Sequence, residues 1–278
     1  MEFFNQYSTA WLLGLAAALL ATGLVAGVLA GLLGVGGGIV IVPVLYHLFT
    51  LLGVDESVRM HAAVGTSLAT IIPTSIMSSR AHKKRGSLDM ALIKRLMPSV
   101  VLGVIVGSVA SRFLSGASLT AVFASAALVV ALNMAFKRDG FALAGGLPGT
   151  AGTALLGSGI GGISTLMGIG GGTLSVPILN ALRVPMHTAV GTGAMLGMVI
   201  SFPGALAFIL NGLDVPDRLP FSLGYVNLLG FALIVPATLA TTGWGAKLAH
   251  AINAKRLRQV FAAFLALTAA RMFYGLLT

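Results

Sequence analysis

The chain is 278 residues long, 57 % hydrophobic and 9 % charged, with a formal net charge of +10 and no cysteine. Soluble domains carry about 25 % charged residues, so composition and a mean hydropathy of +0.99 exclude a soluble protein and mark an integral membrane one. The absent cysteines exclude disulfides and thiolate metal or redox sites, and basic residues without interleaved aromatics exclude the nucleic-acid pattern.

Met1-Glu2 opens without a basic n-region, so no cleavable signal peptide is expected. Residues 11–33 are 23 in number without a charge, enough for a bilayer that needs about 20. They run into Gly-Val-Gly-Gly-Gly at residues 34–38, and the apolar run beyond, 39–52, has only 14 residues. Residues 53–60 read as a polar loop with Asp55, Glu56 and Arg59, 61–79 as a span, and 80–86 as a basic stretch. Spans at 91–113 and 119–136 follow, and Lys137-Arg138-Asp139-Gly140 closes the first half. A long run at 141–167 then meets a second break, Gly-Ile-Gly-Gly-Gly at 168–172. The 10 residues beyond it, 173–182, make about 15 Å of helix and cannot cross a core of about 30 Å. Residues 186–210 span, 211–220 form a loop with Asp214, Asp217 and Arg218, and 221–245 and 257–277 complete the chain around a basic loop at 247–258.

The halves repeat. Met60-His-Ala-Ala-Val-Gly-Thr66 returns as Met186-His-Thr-Ala-Val-Gly-Thr192, six identities in seven. Pro98, Gly107 and Leu119-x-x-Val-Phe-Ala124 return in the same order as Pro236, Gly245 and Leu257-x-x-Val-Phe-Ala262. Lys and Arg gather on the cytoplasmic side of membrane proteins. With residues 80–95 inside, 13 of the 17 basic residues fall there, leaving Arg59, Arg112, Arg218 and Arg271 outside. The loop after 61–79 then faces the cytoplasm and the matching loop after 186–210 faces out, so the repeats have opposite topology. The expected fold is an all-α integral membrane protein of two inverted-topology repeats, 1–139 and 140–278, each of about five helical segments with a broken or re-entrant Gly-rich helix. Short Gly-interrupted segments at matching places in inverted halves point to a secondary transporter's binding site.

Peptide N–H groups that open a helix are unpaired and carry about +0.5 charge. Gly36, Gly37, Gly38 and Gly170, Gly171, Gly172 would open two short helices whose positive ends converge on an anion near the midplane, with no Lys or Arg buried. Thr66, Ser67 and Thr192 add hydroxyl donors suited to an oxyanion; Gly193 stands where Ser67 stands, which makes the donor set asymmetric. His61 and His187 begin the same helices and are the one hint of proton coupling. The plainer readings compete: glycines for close helix packing, as at Gly103-x-x-x-Gly107, threonines bonded back to their own helix, and interfacial histidines. A Rossmann fingerprint would need a strand before the glycines and an acid after them, and neither is present. No span centre contains Asp, Glu, Cys, Lys or Arg, so neither an enzyme nor a metal or cofactor site is expected. An anion channel would share the same helix-end site, whereas a scaffold subunit would not need two matched breaks.

Gly-Leu-Leu-Gly-Val-Gly-Gly-Gly-Ile-Val-Ile-Val-Pro with its second copy, the two Met-His-x-Ala-Val-Gly-Thr blocks and Leu-Arg-Gln-Val-Phe-Ala near the end resemble the TauE/SafE family of membrane permeases, over residues 12–273. The resemblance implies transport of small sulfur-containing anions such as sulfite or organosulfonates, usually as export across the bacterial inner membrane. The alternative is an anion channel, or a permease for another small oxyanion or carboxylate. The partners it implies are the anionic substrate and the lipid bilayer, with no nucleic acid and no cofactor; a homodimer is compatible with it.

Overall fold

The computed structural model describes residues 8–34, 36–136, 146–216, 218–248 and 254–277. Among them are ten helices: α1 (Thr9–Leu33), α2 (Gly38–Leu51), α3 (Glu56–Lys84), α4 (Met90–Phe113), α5 (Gly116–Phe136), α6 (Thr150–Met167), α7 (Gly172–Ala181), α8 (Met186–Asn211), α9 (Leu228–Leu248) and α10 (Ala254–Leu277). The fold is all-helical apart from a two-residue antiparallel ladder, β1 (Ser222–Leu223) with β2 (Val226–Asn227). Six helices, α1, α3, α4, α5, α8 and α9, are long and apolar enough to cross a membrane. The chain is therefore a multi-pass membrane protein.

The structure corrects several expected boundaries. Residues 56–60 are the first turn of α3 rather than a loop, because Asp55 accepts hydrogen bonds from the Ser57 backbone N–H and hydroxyl and caps the helix. At its other end α3 runs into the basic stretch, where His82, Lys83 and Lys84 occupy the last turn at the negative end of the helix dipole. The span expected from residue 221 begins only at Leu228: Phe221 and Gly224 take positive φ (58° and 56°), the chain turns through the ladder, and Asn227 Oδ1 accepts the Gly230 N–H at 2.8 Å to cap α9. α6 begins at Thr150, after Pro148. The 139/140 repeat boundary, Asp217 and the middle of the 247–258 loop lie outside the described residues.

α3 is the central helix. Eighteen of its 29 residues are buried, and it packs against α2, α5, α8 and α9. α8 lies along it and carries α7 and α4 on its other sides. The outer helices keep apolar side chains on the surface, as α4 does with Leu102, Ile105, Val106 and Val109, and these face lipid tails.

Two of the helix crossings, α1 on α9 and α4 on α6, bring backbones together at small residues. A Cβ on Gly161 would stand 2.1 Å from Val100 O, and one on Gly107 would stand 2.7 Å from Gly162 O. In the other crossing a Cβ on Gly27 would stand 2.3 Å from Thr238 O, and one on Gly245 2.1 Å from Val28 O. Such contacts replace the hydrophobic drive that lipid removes. Gly161→Val is expected to cost about 1–3 kcal/mol or more by overpacking. Gly159→Val, on the same helix but with nothing within 4 Å, should stay within about 0.5 kcal/mol of the parent. Thermal unfolding of both variants in detergent measures the difference.

Candidate functional site

Both glycine runs break a helix within the protein interior. α1 ends at Gly34, and Gly36 and Gly37 follow with φ of 75° and 80° before α2 starts; α6 ends at Gly168 with φ of 64°. Side chains are strained at these angles, which accounts for glycine at Gly37 and Gly168. α2 has 14 residues and α7 has 10, so neither reaches across a core of about 30 Å.

The two breaks meet. A Cβ on Gly38 would stand 2.5 Å from Gly168 O and 3.0 Å from Ile169 Cα; one on Gly36 would stand 3.4 Å from Gly170 Cα. Gly36, Gly37, Gly38, Gly170, Gly171 and Gly172 are all buried. α2 and α7 therefore open next to each other, backbone against backbone. The first-turn N–H groups of Val40 and Ile41 bond Gly37 O, and those of Thr173 and Ser175 bond Gly170 O and Gly171 O; the peptides that open each helix have no acceptor within it, and the positive ends of two helix dipoles lie together.

The hydroxyls expected at this place divide. Ser67 Oγ donates to Gly168 O at 2.7 Å, which ties α3 to the turn after α6. Thr66 Oγ1 accepts the Asn227 N–H at 2.8 Å and holds the ladder against α3. Thr192 is fully buried on α8 and its hydroxyl has no hydrogen-bond partner. Among the described residues six further buried hydroxyls are likewise without partners: Ser75 on α3, Ser108 on α4, Ser164 on α6, Thr173 and Ser175 on α7, and Ser201 on α8. Hydropathy along the chain does not single these hydroxyls out. One signal for them existed: Ser75 and Ser201 stand 126 residues apart, as His61 and His187 do.

The histidines are not gathered to the glycines. His61 is 14 residues from Ser75 along α3, about 21 Å of helix. Its Nδ1 faces Ser57 O and its Nε2 faces Ser111 O, both at 3.1 Å, and its ring stacks on Tyr225 at 4.9 Å. That arrangement joins α3, α4 and the ladder. His61, Glu56, Arg112 and Tyr225 also line a wide recess of about 550 Å³ at this end of α3. His187 is exposed in the first turn of α8. Among the described residues no group of three or more His, Asp or Glu side chains is placed to hold a metal ion.

Residues 19–272 match the model of the family described as Sulfite exporter TauE/SafE. A "Probable membrane transporter protein" of Haemophilus influenzae is 34 % identical over 261 residues, covering 91 % of this chain and 96 % of that protein. Similar proteins with the same description are found in Methanocaldococcus jannaschii, 26 % identical over 89 % of this chain and 91 % of the relative, and in Bacillus subtilis, 28 % identical over 85 % and 88 %. No solved structure matches the chain.

Thr66 and Thr192, 126 residues apart, make a direct comparison. Thr66→Val leaves the buried Asn227 N–H without its acceptor, and about 1–3 kcal/mol of stability should be lost. Thr192→Val strands no partner, so its melting temperature in detergent should stay close to that of the parent.

Proposed function

The chain belongs to the Sulfite exporter TauE/SafE family of membrane transporters, which is not an enzyme family, and from that premise we propose that it exports small sulfur-containing anions such as sulfite or organosulfonates by alternating access. The observation that carries this reading is the buried meeting of the two glycine turns. An anion there is met by peptide N–H donors and two dipole ends, with no buried cation to hold it too tightly. Each charge-assisted hydrogen bond is worth about 1.5–3 kcal/mol, so four to six would offset the several kcal/mol of dehydration per ion.

The transporter architecture in this reading is a pair of inverted repeats, 1–139 and 140–278, in a bacterial inner membrane with the 80–95 loop in the cytoplasm. The contacts of the two glycine crossings support it. Gly27 and Gly161 are 134 residues apart, the spacing of Gly34 and Gly168. Their contacts Thr238 and Val100 are 138 apart, the spacing of Pro236 and Pro98, and the Gly245–Val28 and Gly107–Gly162 contacts exchange by the same two offsets. Each helix hairpin, α1–α2 and α6–α7, then enters from its own side of the membrane and the two tips touch. On this reading the backbone contact at the tips closes the path, and every passage needs helix movement. That favours a carrier over an open anion channel.

Purified protein in liposomes, tested for uptake of sulfite against sulfate, methanesulfonate and chloride with and without a pH gradient, examines the reading. Saturable sulfite flux without large unitary currents is expected. Large unitary currents would make it a channel; flux of another anion alone would replace the substrate; dependence on the pH gradient would identify the proton as the coupling ion.

A further inference from the structure

The two glycine turns lie at matching places, but their surroundings differ in kind. Facing the first turn, Ile71 of α3 fills the space: its Cγ2 would stand 3.1 Å from a Cβ on Gly36 and its Cδ1 2.7 Å from one on Gly38. The residue 126 places on, facing the second turn, is Gly197. A Cβ there would stand 2.5 Å from Ser75 Oγ and 3.7 Å from Gly171 N. One hydroxyl and the opening peptide of α7 thus approach the same point.

The short helices differ in the same sense. α2 begins with Ile39 and Ile41, both fully buried. At 134 residues further on, α7 carries Thr173 and Ser175, which are also buried and whose hydroxyls have no partner. Gly193, one turn before Gly197 on α8, lets Ser175 in: a Cβ on it would stand 3.1 Å from Ser175 Oγ and 2.8 Å from Gly172 Cα. Its counterpart in the first half is Ser67, whose hydroxyl hydrogen is committed to Gly168 O. A buried hydroxyl without a partner costs about 1–3 kcal/mol, and here two of them, Ser75 at 1 % exposure and Ser175 at 0 %, border one helix N-terminus. The α2 end has apolar side chains in the corresponding places.

We propose that the anion is gripped from one half only: by the N–H groups that open α7 at Gly171 and Gly172 and by the hydroxyls of Ser75 and Ser175, while Ile71, Ile39 and Ile41 make the α2 end an apolar plug. This deepens the transport reading above and rests on it. The site takes one anion per chain. Two hydroxyls and successive peptide N–H groups converge as several donors from different directions, which fits an oxyanion with three or more acceptor oxygens better than a halide. The close contacts of Gly171 with the Leu196 backbone mean that α7 and α8 must part before the ion enters or leaves.

The test is calorimetric titration of the full-length protein in detergent with sulfite, sulfate, methanesulfonate and chloride, run beside wild-type flux in liposomes. One oxyanion per chain is expected. Ser75→Ala and Ser175→Ala should each weaken it about tenfold or more with an unchanged melting temperature. Ser201→Ala, which removes an equally buried and unpartnered hydroxyl, should change it less than twofold. Two anions per chain, or serine variants that bind as the parent does, would overturn the one-sided grip while wild-type flux left the transport reading intact. Binding of sulfate or methanesulfonate in place of sulfite, with the same serine dependence, would keep the grip and remove sulfite as the cargo. If none of the four anions bound or moved, both would fall together.

Discussion

The constraint behind this fold is that a broken helix cannot face lipid. Every interruption leaves N–H and C=O groups without partners, and hydrocarbon supplies none. This chain breaks two hairpins near their tips and buries both breaks against each other, so that Gly38 lies on the Gly168 carbonyl and Gly36 on Gly170. The same Gly168 carbonyl accepts the Ser67 hydroxyl from α3. Four helix termini become one enclosed junction, in which Ser67 ties off the Gly168 carbonyl and the Gly37, Gly170 and Gly171 carbonyls each accept an N–H of the helix that follows.

That junction explains why α3 and α8 differ from the other long helices. Both must enclose peptide groups as well as apolar side chains, so they are built from Ala, Gly, Ser and Thr in their middle turns. Their hydroxyls tie α3 to the ladder through Thr66, or remain without partners as on Ser75, Thr192 and Ser201. The outer helices do simpler work. They cross at glycines, present Leu, Ile and Val outward, and hold the enclosed pair in place.

Much of this arrangement could be read from residue order alone. The glycine breaks, the two helices too short to span and the recurrence of Met-His-x-Ala-Val-Gly-Thr are local signals, and the structure places the breaks at helix ends accordingly. Polar residues misled where they serve the helix itself. Asp55, Glu56 and Arg59 look like a loop by hydropathy, yet Asp55 is a cap and the rest is helix. Residues 221–227 look like the start of a span because they are apolar, yet two positive φ values and the Asn227 cap turn them into the ladder. The burial and lack of partners of Ser75 and Ser175 could not be seen in the same way. A hydroxyl's value depends on whether its neighbour in space accepts its hydrogen; Gly197 beside Ser75 is 122 residues away and Gly193 beside Ser175 lies on a different helix.

On the reading of two inverted repeats, a duplicated frame also imposes a choice on any site placed between its halves. If both glycine turns offered the same donors, two equivalent grips would compete for one ion, and release toward either side would mean breaking both. Substituting three places in one half removes that problem at little structural cost: isoleucine for glycine at 71 against 197, and isoleucines at 39 and 41 against threonine and serine at 173 and 175. The apolar turn then keeps its role as a tight surface for the other to close on, since its backbone still meets Gly168–Gly170. On the proposed reading, the symmetry supplies the two-sided motion and these departures from symmetry supply the single ligand. The second requirement does not disturb the first, because the glycines that let the tips touch are present in both copies.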